Sequence, residues 1–208
     1  KIIGKIIKAI ARRRDQSTTK PKNKTLSRAD DRGSLALITE TTKGETKDTA
    51  FMEIKKASMQ DLEQIMHVYK NARKFMCENG NEEQWGDDYP STELIREDID
   101  KMYLCISEEQ IACVFYYAVE EDEDYREING KWLNEKPYAV VHRVASTGIV
   151  KGAASYCLDW VYTQFPNIRM DTYKDNIPMQ KLLEKCGFQY CGSFERLGTD
   201  KWMAYHKE

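Results

Sequence analysis

Val140–Phe188, VVHRVASTGIVKGAASYCLDWVYTQFPNIRMDTYKDNIPMQKLLEKCGF, is the stretch whose reading decides the fold. Val140–Ser146 is rich in β-branched residues and reads as a buried central strand. Thr147–Ala154 follows as a glycine-bearing loop, and it runs into a helix whose inward face is Cys157, Leu158, Val161 and Phe165. A second strand carries Asp171, Thr172 and Tyr173, and a second helix opens near Asn176 and ends before Gly187. Strand, loop, helix, strand and helix in unbroken order define an α/β unit. The order also sets free backbone N–H groups around Gly152 at a helix N-terminus, where an anion is favoured. Taken alone, the glycine is a weak signal and reads first as a turn residue.

The elements before and after this stretch complete one domain over residues 51–208. FMEIKKA suits a first strand, and Ser58 to Asp61 supplies a helix cap. Leu62, Ile65, Met66, Tyr69 and Met76 recur at helical spacing, which predicts a helix over residues 59–78. A polar loop with Trp85 and Tyr89 leads to a second helix, STELIREDIDKM. MYLCIS and QIACVFYYAVE then form a hairpin about Glu108 and Glu109. An insertion, EDEDYREINGKWLNEKPY, precedes the central strand, and its acidic run Glu120–Asp124 reads as a solvated loop. FQYCGSFER and DKWMAYHKE are the closing strands.

Composition bounds the function. The chain has 208 residues, of which 41% are hydrophobic and 32% charged, enough for one sizeable core. No apolar run approaches the roughly 18 residues of a membrane-spanning helix, and no signal-peptide pattern opens the chain. The six cysteines show no CxxC pair and no Cys/His cluster of metal-ligand spacing, so no metal is expected. They read as reduced thiols of a cytoplasmic protein.

Charge is unevenly divided. Residues 1–50 hold 13 Lys/Arg against 6 Asp/Glu, and the rest holds 19 against 28. Residues 15–50 have the composition of a flexible linker. Residues 1–14, KIIGKIIKAIARRR, set five isoleucines on one helical face and basic residues around the other. A cationic amphipathic helix of this kind suits an anionic membrane surface, an acidic groove or nucleic-acid phosphate. The end of a longer polypeptide or an appended segment is the other reading, with Met52 as a start for the folded domain.

The order of elements, the loop, HRVAS at His142–Ser146, DTYKDNIPM at Asp171–Met179 and the closing Gly187-Phe188 together resemble the GNAT-type N-acetyltransferase superfamily over residues 51–208. The resemblance implies a mixed central sheet, splayed between its fourth and fifth strands, with flanking helices. It also implies an acetyl-CoA-dependent transfer of an acetyl group to a primary amine of a small molecule or peptide, by direct attack in a ternary complex. Val144, Ala145 and Ser146 would offer backbone to the pantetheine arm. Ile149, Val150, Lys151, Gly152, Ala153 and Ala154 would form the pyrophosphate loop, and Asn176 would reach the CoA arm. Ile149 departs from the polar residue usual there, and Leu183 stands where many members place a tyrosine that protonates the leaving thiolate. That second departure leaves open a CoA-binding regulatory protein of weak activity, while residues 1–14 leave open a membrane- or nucleic-acid-targeted module.

The proton-transfer groups are sought near the implied gap. Strand alternation would set Val140, His142, Val144 and Ser146 on one face and Val141, Arg143 and Ala145 on the other. His142, Asp171 and Tyr173 are the catalytic candidates: His142 for its intrinsic pKa, Asp171 to orient His142 or Arg143, and Tyr173 to face the thioester. A structural histidine and an Asp171–Arg143 ion pair are the competing readings. Trp85, Tyr89, Trp132 and Tyr138, with Glu82, Glu83, Asp87 and Asp88, would border the amine side and suit a cationic acceptor, or else simply cover the core. The expected partners are a small-molecule or peptide amine in a cytoplasmic, bacterial setting, with a homodimer as an open option.

Overall fold

The structure, a computed structural model, describes residues 51–208. The amphipathic segment 1–14 and the linker 15–50 expected from the sequence lie outside the described residues. The chain runs β1 (Glu53–Lys56), α1 (Leu62–Glu78), α2 (Thr92–Glu97), β2 (Met102–Ser107), β3 (Gln110–Val119) and β4 (Asn129–Gly130). It continues through β5 (Ala139–Ser146), α3 (Ala153–Gln164), β6 (Ile168–Tyr173), α4 (Ile177–Lys185), β7 (Gln189–Arg196) and β8 (Thr199–Lys207). One mixed sheet has the order β1-β2-β3-β5-β6-β8-β7-β4, in which only β5 and β6 are parallel.

Local chemistry explains the element ends. Asp61 accepts from the Ser58 amide and hydroxyl, both at 2.8 Å, and fixes the turn that enters α1. Glu108 and Glu109 both take positive φ, 48° and 63°, which makes the two-residue turn that joins β2 to β3. Gly187, at φ 79°, closes α4: its amide reaches the Glu184 carbonyl and the Phe188 amide reaches that of Leu183. The second helix is shorter than its pattern predicts. It stops at Glu97 and resumes as one tight turn over Ile99–Lys101, because the Asp98 side chain turns inward to Arg143 at 2.6 Å.

Both faces of the sheet are covered. Ile65, Val68, Tyr69 and Met76 of α1 pack with Tyr116, Val140 and Ala145 on one face, and Cys157, Leu158 and Val161 of α3 pack with Val141, Val144 and Met170 on the other. Leu183 is wholly buried on the α3 side. The membership of Val144 and Ala145 corrects the strand alternation read from sequence. Tyr116 pairs with His142 and Val114 with Ala145, so two β5 residues, Arg143 and Val144, stand opposite the single residue Phe115. This is a β-bulge with Arg143 at φ 56°, and it moves Val144 to the α3 face and Ala145 to the α1 face.

The insertion before β5 also departs from its solvated reading. Asp122 is 3% exposed, Glu120 accepts from Tyr116 and Lys101, and Asp124 meets Arg196 at 2.6 Å. These carboxylates turn inward because cations and hydroxyls of the sheet await them there. A polar latch secures the insertion's far end. The Leu133 amide donates to His206 Nδ1 at 3.1 Å, and His206 Nε2 lies 3.0 Å from Asn167 Oδ1, which also accepts from Asn134 at 2.8 Å.

His206 must be neutral to accept that amide proton, and burial together with the Arg169 cation depresses its pKa to about 3. A histidine depressed below its ordinary 6.5 contributes stability that is present above pH 6.5 and lost as the pH falls towards 3. Urea unfolding should therefore show about 2 kcal/mol lost to this group between pH 7 and pH 5. His206→Gln should flatten the pH dependence by that amount, and an unchanged slope would count against the latch.

Candidate active site

β5 and β6 pair only at their starts, Ala139 with Ile168 and Val140 with Arg169. Beyond Val140 the bulge bends β5, and the two strands lack any further pairing. Two neighbouring parallel strands thus open a gap in the middle of the sheet, lined by backbone of Val144–Ser146 on one side and Asp171–Tyr173 on the other. A peptide-like arm can fill such a gap by supplying the missing hydrogen bonds.

The loop 147–152 closes one end of that gap. Gly152 caps α3 with φ 88°, and a Cβ added to it would meet nothing within 4 Å. The position therefore needs glycine for its backbone, while the space before it stays open. The Ala153 amide reaches the Val150 carbonyl at 3.4 Å, while the next first-turn amides of α3, those of Ala154 and Ser155, have no intrahelical acceptors, which suits an anion such as a pyrophosphate. Ile149 is 50% exposed there and offers no polar group. Asn176 caps α4, with Oδ1 accepting from the Met179 amide at 3.1 Å while its Nδ2 donates to Gln84 Oε1 at 2.8 Å. The same side chain thus caps α4 and ties it to the segment between α1 and α2.

On the α1 face the expected catalytic residues separate. His142 is fully buried, with its ring 5.1 Å from that of Tyr116 and Nε2 3.5 Å from Asp122. Asp171 is also fully buried, and its partner is Arg196 at 3.4 Å rather than Arg143 or His142. Arg143 pairs with Asp98 instead, over the Tyr116 ring, because the bulge swings it away from β6. Neither Asp171 oxygen has a hydrogen bond of good geometry, and burial pushes its pKa well above the ordinary carboxylate range. Tyr173 packs edge-on to Trp202 and donates to Glu83 at 2.7 Å, and Glu83 also takes Lys201. Burial and the Glu83 carboxylate raise the Tyr173 pKa, while Lys201 and Tyr173 lower that of Glu83. The phenol accordingly keeps its proton at neutral pH.

Of the predicted acceptor aromatics, Trp85 and Tyr89 come together at 6.1 Å beside Tyr69. Trp85 lines an open cavity of ≈ 440 Å³ together with Arg73, Glu82, Glu83 and Asp87. Tyr138 is placed elsewhere: it accepts from the Asp122 amide and lies under Arg169, as does Trp132. Arg196 is a functional candidate that local patterns miss, and Glu83, expected only among the acids on the amine side, gains its contact with Tyr173 from the fold. Arg196 sits in a closing strand, and Glu83 is one acid among several in a loop. Among the described residues no group of three or more His, Cys, Asp or Glu is placed to hold a metal ion, and no helix is long and apolar enough to cross a membrane.

Solved structures share this architecture. A GNAT-family acetyltransferase from Streptococcus agalactiae 2603 superposes with a TM-score of 0.68 at 29% identity, over 76% of this chain and 95% of that one. A Staphylococcus aureus MU50 structure, named provisionally as an acetyltransferase, gives 0.56 at 27% identity over 74% of this chain and 97% of that one. A GNAT-family acetyltransferase from Listeria monocytogenes 4b F2365 shares the fold at 18% identity, with a TM-score of 0.55 over 79% of this chain and 98% of that one. No protein-family model and no curated protein matches the chain. The chain carries the fold of the GNAT-type N-acetyltransferase superfamily, and the resemblance read from its sequence holds in three dimensions.

Gly152→Val tests the loop. A β-branched residue at φ 88° costs on the order of 1–2 kcal/mol of backbone energy and places methyls in the open space before α3. The KM for acetyl-CoA should rise at least tenfold, with kcat changed much less. An unaltered KM would remove the loop from the cofactor site.

Proposed function

We propose that this chain is an acetyl-CoA-dependent N-acetyltransferase acting on a primary amine of a small molecule or peptide, by direct attack in a ternary complex. Acetyl transfer in general is supported by the acetyltransferase neighbours. The observation that carries the reading is the juxtaposition of the β5–β6 gap with the left-handed Gly152 turn at the start of α3. Acetyl-CoA supplies the activated acyl group. The chain's part is to orient it with strand backbone at Val144–Ser146, to hold its pyrophosphate on the α3 amides with Lys151 adjacent, and to steady its arm with Asn176.

The proton of the amine needs a base on the α1 face. Asp171 fits that role better than His142, since neither of its oxygens has a hydrogen bond of good geometry and burial raises its pKa, whereas His142 is engaged behind Tyr116 with Asp122. Arg196, held by Asp124 and stacked 4.5 Å from Trp202, would keep the Asp171 charge tolerable once the proton has moved on. Tyr173 is the hydroxyl offered near the splayed strand ends in place of the buried Leu183, and its proton, donated here to Glu83, would have to turn from that carboxylate to the departing thiolate. Trp85 with Glu82, Glu83 and Asp87, three carboxylates against the Arg73 and Lys74 cations of the same cavity, would suit a cationic acceptor.

Thiol release from acetyl-CoA with a panel of polyamines, aminoglycosides and peptide amines tests the activity. Turnover on at least one is expected, and tight CoA binding with none on any amine would leave a regulatory CoA-binding protein. Asp171→Asn should lower kcat on the order of 100-fold. A carboxylate whose folded pKa is raised contributes most to stability at low pH and loses that contribution as pH climbs through the folded value. The same variant should therefore melt at a higher temperature than the parent at pH 8. Full activity in Asp171→Asn would sink its assignment as the base.

A further inference from the structure

The segment Asn81–Asp87, between α1 and α2, faces two ways. Glu82, Glu83, Trp85 and Asp87 of this segment line the cavity beside α1. Glu83 also reaches Tyr173 of β6 and Lys201 of β8, and Gln84 reaches Asn176 at the start of α4. Gln84 Oε1 accepts from two amides, Asn81 Nδ2 at 2.7 Å and Asn176 Nδ2 at 2.8 Å. Asn81 is 3% exposed and its backbone amide is bonded to the Met76 carbonyl at the end of α1. Gln84 is thereby fixed from behind. Asn176 is fixed from both ends, because its Oδ1 is committed to the Met179 amide and only its Nδ2 can turn to Gln84. Next to it, Glu83 accepts from the Tyr173 hydroxyl and from Lys201 on β8.

Resting on the acetyl-CoA reading of the gap, we propose that Gln84 is a positioning residue that sets the amide of Asn176 for the cofactor arm. A strap anchored on α1 then determines the geometry of a residue that lies across the gap. Orienting a side chain that touches a ligand requires a partner that is itself held, and Asn81 provides that hold for Gln84. Because the strap also forms a wall of the cavity, the acceptor pocket and the grip on the cofactor are parts of one element.

The test is a double-mutant cycle on the dissociation constant of CoA, measured calorimetrically with the whole chain. Asn176→Ala should weaken CoA roughly tenfold, and Gln84→Ala about threefold to fivefold. If Gln84 acts through Asn176, the double variant should bind within about twofold of Asn176→Ala alone. Gln84→Glu, which keeps the accepting oxygen, should restore the affinity lost in Gln84→Ala, and kcat in both Gln84 variants should change less than the KM for acetyl-CoA. Effects that multiply in the double variant, or a Gln84→Ala variant that binds CoA as the parent does, would overturn the positioning role while leaving the acetyl-CoA reading intact. A parent chain that does not bind CoA would sink that reading, and the strap's role with it. Melting temperatures of all the variants separate loss of fold from loss of grip.

Discussion

The bulge at Arg143 is the constraint on which the rest of the site depends. A non-glycine residue at φ 56° is costly, about 1–2 kcal/mol, and it persists only where its surroundings hold it. Here they do so from both ends of the residue. Tyr69 of α1 donates to the Arg143 carbonyl at 2.9 Å, and the guanidinium meets Asp98 at 2.6 Å while lying 4.9 Å over Tyr116. The pairing of β5 with β3 absorbs the extra residue, and its pairing with β6 stops after Val140. The gap in the sheet is the consequence, and it leaves backbone available to a ligand without leaving a buried edge uncovered by helices.

The polar interior of the α1 face follows from the same geometry. With Arg143 drawn to Asp98, Asp171 is left to Arg196, which it shares with Asp124. Asp171 shares that guanidinium without a hydrogen bond of good geometry, and its burial pushes its pKa well above the ordinary carboxylate range. Groups placed this way weaken a fold and serve chemistry. Leu183 illustrates the converse: packed on the α3 face among aliphatic neighbours, it contributes to the core on the opposite side of the sheet from Asp171.

Much of this was legible in the chain. The periodicity of α1, the Glu108-Glu109 hairpin, the Gly152 loop and the Gly187 cap all follow from residues within a few positions of one another, and each appears where its pattern puts it. The inward turn of Glu120 and Asp124 was not legible, because these acids are anchored by Tyr116, Lys101 and Arg196, whose positions only the folded sheet brings near. The partition of His142 and Asp171 was hidden for a related reason. Alternation along β5 fails at a bulge whose cause, the hydroxyl of Tyr69, lies 74 residues away in sequence.

The sequence by itself determined the class of fold and the place of the glycine turn before α3, since both rest on local conformational preference: β-branched runs make strands, and a glycine takes the left-handed turn that opens a helix. The tertiary structure alone decided which charges meet. Arg143 with Asp98, Asp171 with Arg196, and Gln84 with Asn176 are pairings between segments remote in the chain. Electrostatic partnership depends on distance in space and on burial, and neither can be read from the order of residues.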